Sequence, residues 1–217
     1  MQYPGGKNLS GVYQRLINQI PPHRVYIETH LGSGAVMRHK RSAEINIGID
    51  LDDDVLNRWS NTKDVQIVRA DATAFLSEFP FQGDEFIYVD PPYLVSTRRS
   101  DRSPYRRDYT EVQHVDLLEL LIGLPCNVMV SGYRSHLYER YLADWRTVSF
   151  PVRIRSGETV NEWLWMNYPE PTQLHDYRYL GESFREREQI RRKIARWTAR
   201  LEQLPSLERH ALLAALR

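Results

Sequence analysis

The sequence predicts an α/β fold: a mostly parallel sheet with helices on both faces, an antiparallel hairpin at one edge, and a helical appendage at the carboxy terminus. Short runs rich in β-branched and aromatic residues alternate with helical patterns through the first two-thirds of the 217 residues. Two further β-rich runs follow, separated by a turn that contains glycine, and an amphipathic pattern begins at Glu182. Strands that alternate with helices are typical of βαβ units, whose strands are parallel.

Five apolar runs are predicted to form the parallel strands, and helices are predicted between and after them. The strands are 25–28, 45–50, 65–68, 85–90 and 127–130. The helices are 35–40, 52–59, 73–79, 112–121 and 133–142. Apolar residues recur at three-residue spacing in 112–121, which is typical of a helix with one buried face. Residues 147–154 and 162–167 are predicted to form the antiparallel hairpin.

The chain is predicted to divide into a main domain, a linker and a basic helical extension. The main domain covers residues 1–168, the linker 169–181, and the extension 182–217, which carries nine Lys and Arg against five Glu. The extension also contains a stripe of apolar residues at helical spacing: Ile190, Ile194, Trp197, Leu201 and Leu204. Two interpretations stay open. The basic residues of the extension contact a nucleic-acid phosphate backbone, or they form the solvated face of a helix whose apolar stripe packs on the core or on a second subunit.

The overall composition excludes several classes of protein. There are 29 Lys and Arg against 28 Asp and Glu, and the net charge of +1 excludes a histone-like polycation or an acidic disordered tail. The single cysteine, Cys126, cannot close an intramolecular disulfide or build a cysteine-rich zinc site. The seven histidines form no recognisable ligand pair, so no metal is expected. No leader or membrane-spanning stretch is found, and we expect a cytoplasmic protein without a membrane partner.

Acidic residues follow three of the predicted strands, and a glycine turn, Gly32-Ser33-Gly34, follows the first. Asp50 ends the second strand, Asp71 lies just past the third, and Asp90 ends the fourth. Because open α/β sheets bind ligands at the carboxyl ends of their strands, we expect these acids to lie near one another. This arrangement favours a nucleoside site over a phosphate site. Each acid, taken singly, is also compatible with a helix-capping or surface role.

The most specific motif is Asp90-Pro91-Pro92-Tyr93, directly after the fourth strand. It arises by chance in a chain of this length with a probability on the order of 10⁻³, and the alternative interpretation is a proline turn that ends a strand. The prolines stiffen the backbone and leave carbonyl acceptors. Asp90 adds a charged acceptor and Tyr93 a flat ring for stacking. Two acceptors beside a ring suit the exocyclic amino group of a nucleobase, which carries two N–H donors.

Over residues 3–168 the sequence resembles the Dam-like DNA adenine-N6 methyltransferases, in a small form without their usual inserted target-recognition domain. The resemblance lies in the order of its motifs: Tyr3-Pro4-Gly5-Gly6-Lys7, Glu28 before Gly32-Ser33-Gly34, then Asp50, Asp71 and Asp90-Pro91-Pro92-Tyr93. It implies a Rossmann-like sheet and S-adenosylmethionine as the cofactor, so that residues 1–168 would form the catalytic domain. The small size favours an enzyme of the phage or mobile-element type.

The resemblance also implies roles for individual residues. Asp90, Pro91, Pro92 and Tyr93 would be catalytic, with Asp90 serving both the cofactor's amino group and the target base. The methionine half of the cofactor would be held by Tyr3, Lys7, Glu28 and the turn from Gly32 to Gly34. Asp50 would bind the ribose, and Asp71 would lie near the adenine ring.

The chain departs from the family pattern in two places. Thr29-His30 stands where the family usually has Pro-Phe, which implies a different methionine pocket. Only 18 residues separate Asp71 from Asp90, which leaves no room for an inserted recognition domain.

An arginine- and tyrosine-rich segment downstream of Tyr93 is the predicted nucleic-acid-binding surface. Arginine suits phosphates and base edges, and aromatic rings suit base stacking. Its residues are Arg98, Arg99, Arg102, Tyr105, Arg106, Arg107 and Tyr109. The alternative is a solvated loop without a binding role. A target adenine would have to be flipped out of a duplex or be unpaired already.

The sequence therefore predicts a DNA adenine-N6 methyltransferase that acts on a base held by the Asp90–Tyr93 motif. An RNA adenine-N6 methyltransferase is an alternative, because the motif reports the amino group and not the sugar. A non-catalytic nucleic-acid-binding protein on a methyltransferase scaffold is the alternative from another class.

Overall fold

The computed structural model describes residues 7–8, 11–97, 108–153 and 157–216. In these residues seven strands form one sheet: β1 (Val25–Thr29), β2 (Ile45–Asp50), β3 (Gln66–Arg69), β4 (Glu85–Val89), β5 (Asn127–Gly132), β6 (Arg146–Arg153) and β7 (Thr159–Met166). The α-helices are α1 (Val12–Ile17), α2 (Ala35–His39), α3 (Asp53–Trp59), α4 (Ala72–Glu78), α5 (Glu111–Ile122), α6 (His136–Tyr141), α7 (Phe184–Glu202) and α8 (Ser206–Ala215).

The strand order is β3-β2-β1-β4-β5-β7-β6, and it confirms the predicted fold class. The five strands from β3 to β5 are parallel, whereas β7 is antiparallel to both β5 and β6. The order reverses between β1 and β4, because the chain leaves β1 toward β2 on one side and later returns to β4 on the other. Ligands of open α/β sheets bind at the carboxyl ends of the strands beside such a reversal.

The centre of the sheet is buried because it is covered on both faces. Every residue of β1 and β4 is buried, as expected for central parallel strands. Ile87 packs in one core cluster with Leu117 and Leu121 of α5. Tyr26 and Phe86 alternate with the residues of that cluster and stack on one another, with ring centroids 6.0 Å apart. This rigid core fixes the positions of the residues that follow β1 and β4.

The local sequence explains where several helices begin. α5 begins after Thr110, which forms a reciprocal capping box with Gln113. Residues 133–142 were predicted as a helix, but α6 begins only at His136, because Ser135 caps it with a side-chain hydrogen bond to the Tyr138 N–H. α1 was not predicted; it has six residues and no side-chain cap.

The chain divides into two compact units, and the boundary between Asp176 and Tyr177 falls in the segment 169–181 that was predicted as a linker. In the first unit, the chain up to Asp176 is bound to the main fold, since the Asp176 carboxylate accepts a hydrogen bond from the Arg41 N–H. The second unit contains α7 and α8, in which none of the described side chains is buried. Trp197 of the predicted stripe is 52% exposed. No described helix combines the length and apolarity needed to cross a membrane.

Candidate active site

Lys7, Asp90, Tyr93 and Glu162 form a polar network at the carboxyl end of the sheet. Lys7 Nζ lies 2.8 Å from Asp90 Oδ1 and 3.0 Å from Glu162 Oε1. The Tyr93 hydroxyl donates to Glu162 Oε1 at 2.8 Å and also accepts a hydrogen bond from Lys7. Lys7 and Glu162 are only 6% and 4% exposed. The network joins the two most specific motifs of the sequence to a strand of the edge hairpin.

The ammonium of Lys7 is held in its charged form by this network. Burial alone would lower the pKa of Lys7, but the attraction of Asp90 and Glu162 outweighs burial and raises the pKa well above its usual value. Burial raises the pKa of Glu162, and the nearby Asp90 adds to that shift while Lys7 opposes it. Lys7 is therefore a permanent positive charge beside Asp90 at neutral pH.

The two oxygens of the Asp90 carboxylate have different surroundings. Oδ1 accepts a hydrogen bond from Ser131 Oγ at 2.7 Å and also lies against Lys7. Ser131 is in turn fixed by the Tyr88 hydroxyl, 2.9 Å from its Oγ. Within the described part of the chain, Oδ2 has no hydrogen-bond partner. One oxygen therefore anchors the side chain and the other can accept a hydrogen bond from a ligand.

The ring of Tyr93 is positioned from two directions. Its hydroxyl is held between Lys7 and Glu162. Its ring contacts that of Tyr133, with centroids 4.4 Å apart and an interplanar angle of 55°. Pro91 is buried, and Tyr93 is partly exposed. The contacts of its hydroxyl and ring thus fix the orientation of Tyr93.

Glu28 at the end of β1 is a buried carboxyl group beside this network. It is 3% exposed, and its Oε2 accepts hydrogen bonds from the Tyr26 hydroxyl at 3.0 Å and the Met37 N–H at 2.8 Å. Burial raises the pKa of Glu28 to about 8, and these hydrogen bonds only partly oppose the shift. Glu28 is therefore mostly protonated at neutral pH.

The glycine turn after β1 brings the backbone close to Asp50. Gly34 has φ 58°, and a Cβ at this position would lie 2.0 Å from Cζ2 of Trp59, so both conformation and packing require glycine. The Gly32 N–H donates to Asp50 Oδ2 at 2.9 Å, and the Asp52 N–H donates to Oδ1 at 2.8 Å. Burial raises the pKa of Asp50. Its carboxylate is thus oriented by the turn.

Asp71 caps α4 and also contacts an aromatic residue. Its Oδ1 accepts hydrogen bonds from the first-turn N–H groups of α4, which is the capping role considered for each acid taken singly. Its Oδ2 accepts a hydrogen bond from the Tyr109 hydroxyl at 3.4 Å. The Tyr109 ring meets His30 edge-on at 5.0 Å. Burial lowers the pKa of His30 to about 4, so His30 is neutral at physiological pH.

The structure brings some of the predicted residues into contact and places others nearby. Lys7 contacts both Asp90 and Tyr93, and Glu28, Gly32, Gly34, Asp50 and Asp71 lie at or near the ends of the neighbouring strands. Tyr109, predicted to bind nucleic acid, is only 8% exposed and faces Asp71. Pro91 and Pro92 lie between Asp90 and Tyr93, and seven further predicted residues lie outside the described residues: Tyr3, Arg98, Arg99, Arg102, Tyr105, Arg106 and Arg107.

Sequence reasoning missed Ser131 and Glu162. Glu162 belongs to strand β7, which runs antiparallel to β5. The first half of β7, and not its last residues, therefore lies at the edge where the parallel strands end. A signal was present in the sequence: Glu162 precedes the apolar run Trp163-Leu164-Trp165-Met166, where a charged residue in a buried strand is unusual.

The sequence matches no protein-family model, and a search of curated proteins returns no match. Among solved structures, a SAM-dependent methyltransferase from Archaeoglobus fulgidus is similar at 12% identity and a TM-score of 0.53, covering 76% of this chain and 95% of that protein. M. capricolum TrmK, in complex with S-adenosyl-homocysteine, is 11% identical with a TM-score of 0.48, covering 95% of this chain and 94% of that protein. The 23S rRNA methyltransferase ErmE is 12% identical with a TM-score of 0.48, covering 76% of this chain and 70% of that protein. The last two similarities are too weak to support an argument. The first shows that the chain has the Rossmann-like fold of SAM-dependent methyltransferases.

Proposed function

We propose that the chain transfers a methyl group from S-adenosylmethionine to the N6 amino group of an adenine in DNA. The arrangement around Asp90 carries the proposal. Its Oδ1 is anchored by Lys7 and Ser131, while its Oδ2 has no hydrogen-bond partner among the described residues and can accept one from a ligand. The fold supports it, because the similar Archaeoglobus fulgidus structure is that of a SAM-dependent methyltransferase.

The chemistry of the site residues fits this cofactor. Carboxyl groups lie at or near the carboxyl ends of β1, β2 and β4, and they suit a ligand that carries a positive sulfonium, an ammonium and a ribose diol rather than phosphates. We assign Asp50 to the ribose, since a carboxylate that already accepts two N–H groups retains sites for hydroxyl donors. Asp71 is assigned to the adenine side, and Tyr3, Lys7, Glu28 and the Gly32–Gly34 turn to the methionine half. When bound, the cofactor supplies an electrophilic methyl group.

Asp90 and Pro91 would prepare the target nitrogen for attack. The N6 lone pair of adenine is delocalised into its ring and is a poor nucleophile. Hydrogen bonds from the two N–H groups to Asp90 Oδ2 and the Pro91 carbonyl favour a tetrahedral nitrogen with a directed lone pair. Positive charge would develop on N6 as its bond to the methyl carbon forms and the carbon–sulfur bond breaks, and Asp90 is a fixed negative charge at that place. The methylated nitrogen would then release one proton to solvent. Ser131 and Lys7 hold the carboxylate still, so little reorganisation is needed during transfer.

Tyr93 would bind the target base by stacking. An adenine inside a duplex cannot reach Asp90, so it must be flipped out or unpaired, at a cost of a few kcal/mol. Stacking on the Tyr93 ring would recover part of this cost, because base–aromatic stacking contributes about 1–3 kcal/mol per base. We assign backbone contacts to the arginine- and tyrosine-rich segment that follows Tyr93.

Methyl-labelled S-adenosylmethionine tests the proposal directly. The protein is incubated with single-stranded DNA, duplex DNA and RNA of matched sequence, and the labelled nucleosides are identified after digestion. We expect label in N6-methyl-2′-deoxyadenosine. Label in the RNA alone would favour the RNA alternative. Nucleic-acid binding without S-adenosylmethionine binding in calorimetry would favour the non-catalytic alternative.

A further inference from the structure

We infer that Glu162 is a positioning residue for the methyl transfer: it holds Tyr93 and Lys7 in place, and through them orients the site that receives the target base. The inference rests on the proposed function and adds to it a residue outside the motifs of the resemblance. It is carried by the contacts of Glu162 within the polar network and by the place of Glu162 in the sheet.

The register of the edge hairpin brings Glu162 to the site. β7 runs antiparallel to β5, and their last aligned pair at this end is Gly132 and Trp163. Glu162 is therefore one residue beyond the end of that pairing, at the edge where the parallel strands end. On its other side it is aligned with Phe150 of β6. The side chain is thus held by a two-sided strand and not by a loop.

A single carboxylate oxygen of Glu162 connects two other segments of the chain. Oε1 accepts the Tyr93 hydroxyl hydrogen bond at 2.8 Å and lies 3.0 Å from Lys7 Nζ. Lys7 in turn reaches Asp90 Oδ1. Removing Glu162 would take away a hydrogen-bond acceptor of the Tyr93 hydroxyl and one of the two described carboxylates that face Lys7.

Sharing the ammonium between two carboxylates has a chemical consequence for Asp90. With Glu162 present, Lys7 lies between Oδ1 of Asp90 and Oε1 of Glu162. Without Glu162, the Lys7 ammonium is attracted to Asp90 alone. It then competes with the target amino group for Asp90 Oδ2. Glu162 therefore keeps Asp90 Oδ2 available to the substrate while its bond to Tyr93 keeps the ring oriented.

The burial of Glu162 shows that packing alone does not explain this residue. Moving a carboxylate out of water costs several kcal/mol, and an apolar residue of similar volume often packs at least as well. Leu164 and Trp165 of the same strand follow that apolar pattern, whereas Glu162 breaks it at a position only 4% exposed. The partners that offset this cost, Lys7 and Tyr93, both belong to the candidate active site.

A double-mutant cycle with Tyr93 tests the inference. Glu162→Ala is expected to lower kcat by about 30-fold or more, with the dissociation constant of S-adenosylmethionine changed by less than about threefold. Glu162→Gln, whose amide oxygen still accepts from Tyr93, should recover part of the loss. Tyr93→Phe lacks the hydroxyl. In that background the fold-loss in kcat caused by Glu162→Ala should be at least about threefold smaller than in the wild type, because the two residues act through one contact.

A matched control is the exposed pair of Tyr141 and Glu119, whose hydroxyl–carboxylate distance is 3.3 Å. Glu119→Gln should leave kcat unchanged, and thermal unfolding identifies variants that fail to fold. The inference is overturned if folded Glu162→Ala and Glu162→Gln retain wild-type kcat. It is also overturned if the fold-loss in kcat of the double variant equals the product of the fold-losses of Glu162→Ala and Tyr93→Phe. A wild-type protein that methylates neither DNA nor RNA would instead overturn the proposed function.

Discussion

Lys7 Nζ lies 2.8 Å from Asp90 Oδ1, and this contact joins a residue near the start of the chain to the residue that follows β4. Both partners are largely buried, with side-chain exposures of 7% and 19%. An ion pair in such surroundings is screened far less than one at the surface, so it fixes geometry as well as charge. The pair explains how motifs more than 80 residues apart in the sequence can act as one site.

Ser131 is expected to contribute to turnover through its hydrogen bond to Asp90. Ser131→Ala removes the 2.7 Å bond to Oδ1, so the carboxylate can rotate away from the target amino group. A hydrogen bond to a charged group contributes about 1.5–3 kcal/mol, which corresponds to roughly a 10- to 100-fold lower kcat. Steady-state kinetics with saturating S-adenosylmethionine measures the effect. Ser77→Ala, which removes an exposed hydroxyl bonded to the Ala74 carbonyl, is the control. An unchanged kcat for Ser131→Ala would show that Asp90 needs no such anchor.

Glu28 is expected to make the stability of the fold depend on pH. Its pKa is about 8 in the folded chain against 4.5 for the unperturbed group, so the unfolded chain loses this proton at a lower pH than the folded one. The free energy of unfolding therefore falls as the pH rises from about 4.5 to about 8, by at most roughly 5 kcal/mol. Glu28→Gln keeps an acceptor for Tyr26 and Met37 but cannot ionise.

Thermal unfolding between pH 5 and pH 9 compares the two proteins. The melting temperature of the wild type should fall more steeply with pH than that of Glu28→Gln. Parallel curves would mean that burial does not raise the pKa of Glu28 as described.

Gly34 is expected to tolerate no side chain. Gly34→Ala places a methyl group against Trp59 and also forces alanine into a left-handed conformation. Overpacking costs about 1–3 kcal/mol, and the conformation adds about 1 kcal/mol. Gly11→Ala isolates the second effect, because Gly11 has φ 88° with nothing within 4 Å of the added carbon. Denaturant unfolding should therefore show a larger loss for Gly34→Ala than for Gly11→Ala, and equal losses would contradict the packing of Trp59 on the turn.

The parallel part of the fold could be predicted because its strands are short apolar runs separated by helical patterns. The carboxyl-end rule then placed Asp50, Asp71 and Asp90 at one edge of the sheet. That rule applies only to parallel strands, so it could not find Glu162, which lies within an antiparallel strand, one residue before its pairing with β5 begins. Lys7 was predicted only from the resemblance, because no local pattern links it to Asp90.

Local sequence patterns also do not resolve how a side chain divides its contacts among several partners. Asp71 was predicted near a cofactor ring, and the structure shows that one of its oxygens is used to cap α4. Tyr109 was grouped with the arginines of the predicted nucleic-acid-binding surface, but it is buried and contacts Asp71 and His30. The predicted helix over 133–142 is shortened because Ser135 offers a better cap than the residues before it.

The most direct measurement is nucleoside mass spectrometry of DNA treated with the wild-type protein and with Asp90→Ala in the presence of S-adenosylmethionine. We expect N6-methyl-2′-deoxyadenosine from the wild type and a yield at least about 10²-fold lower from the variant, with both proteins unfolding at similar temperatures. A folded Asp90→Ala variant with near-normal yield, or methylation of a base other than adenine, would contradict the role given to Asp90.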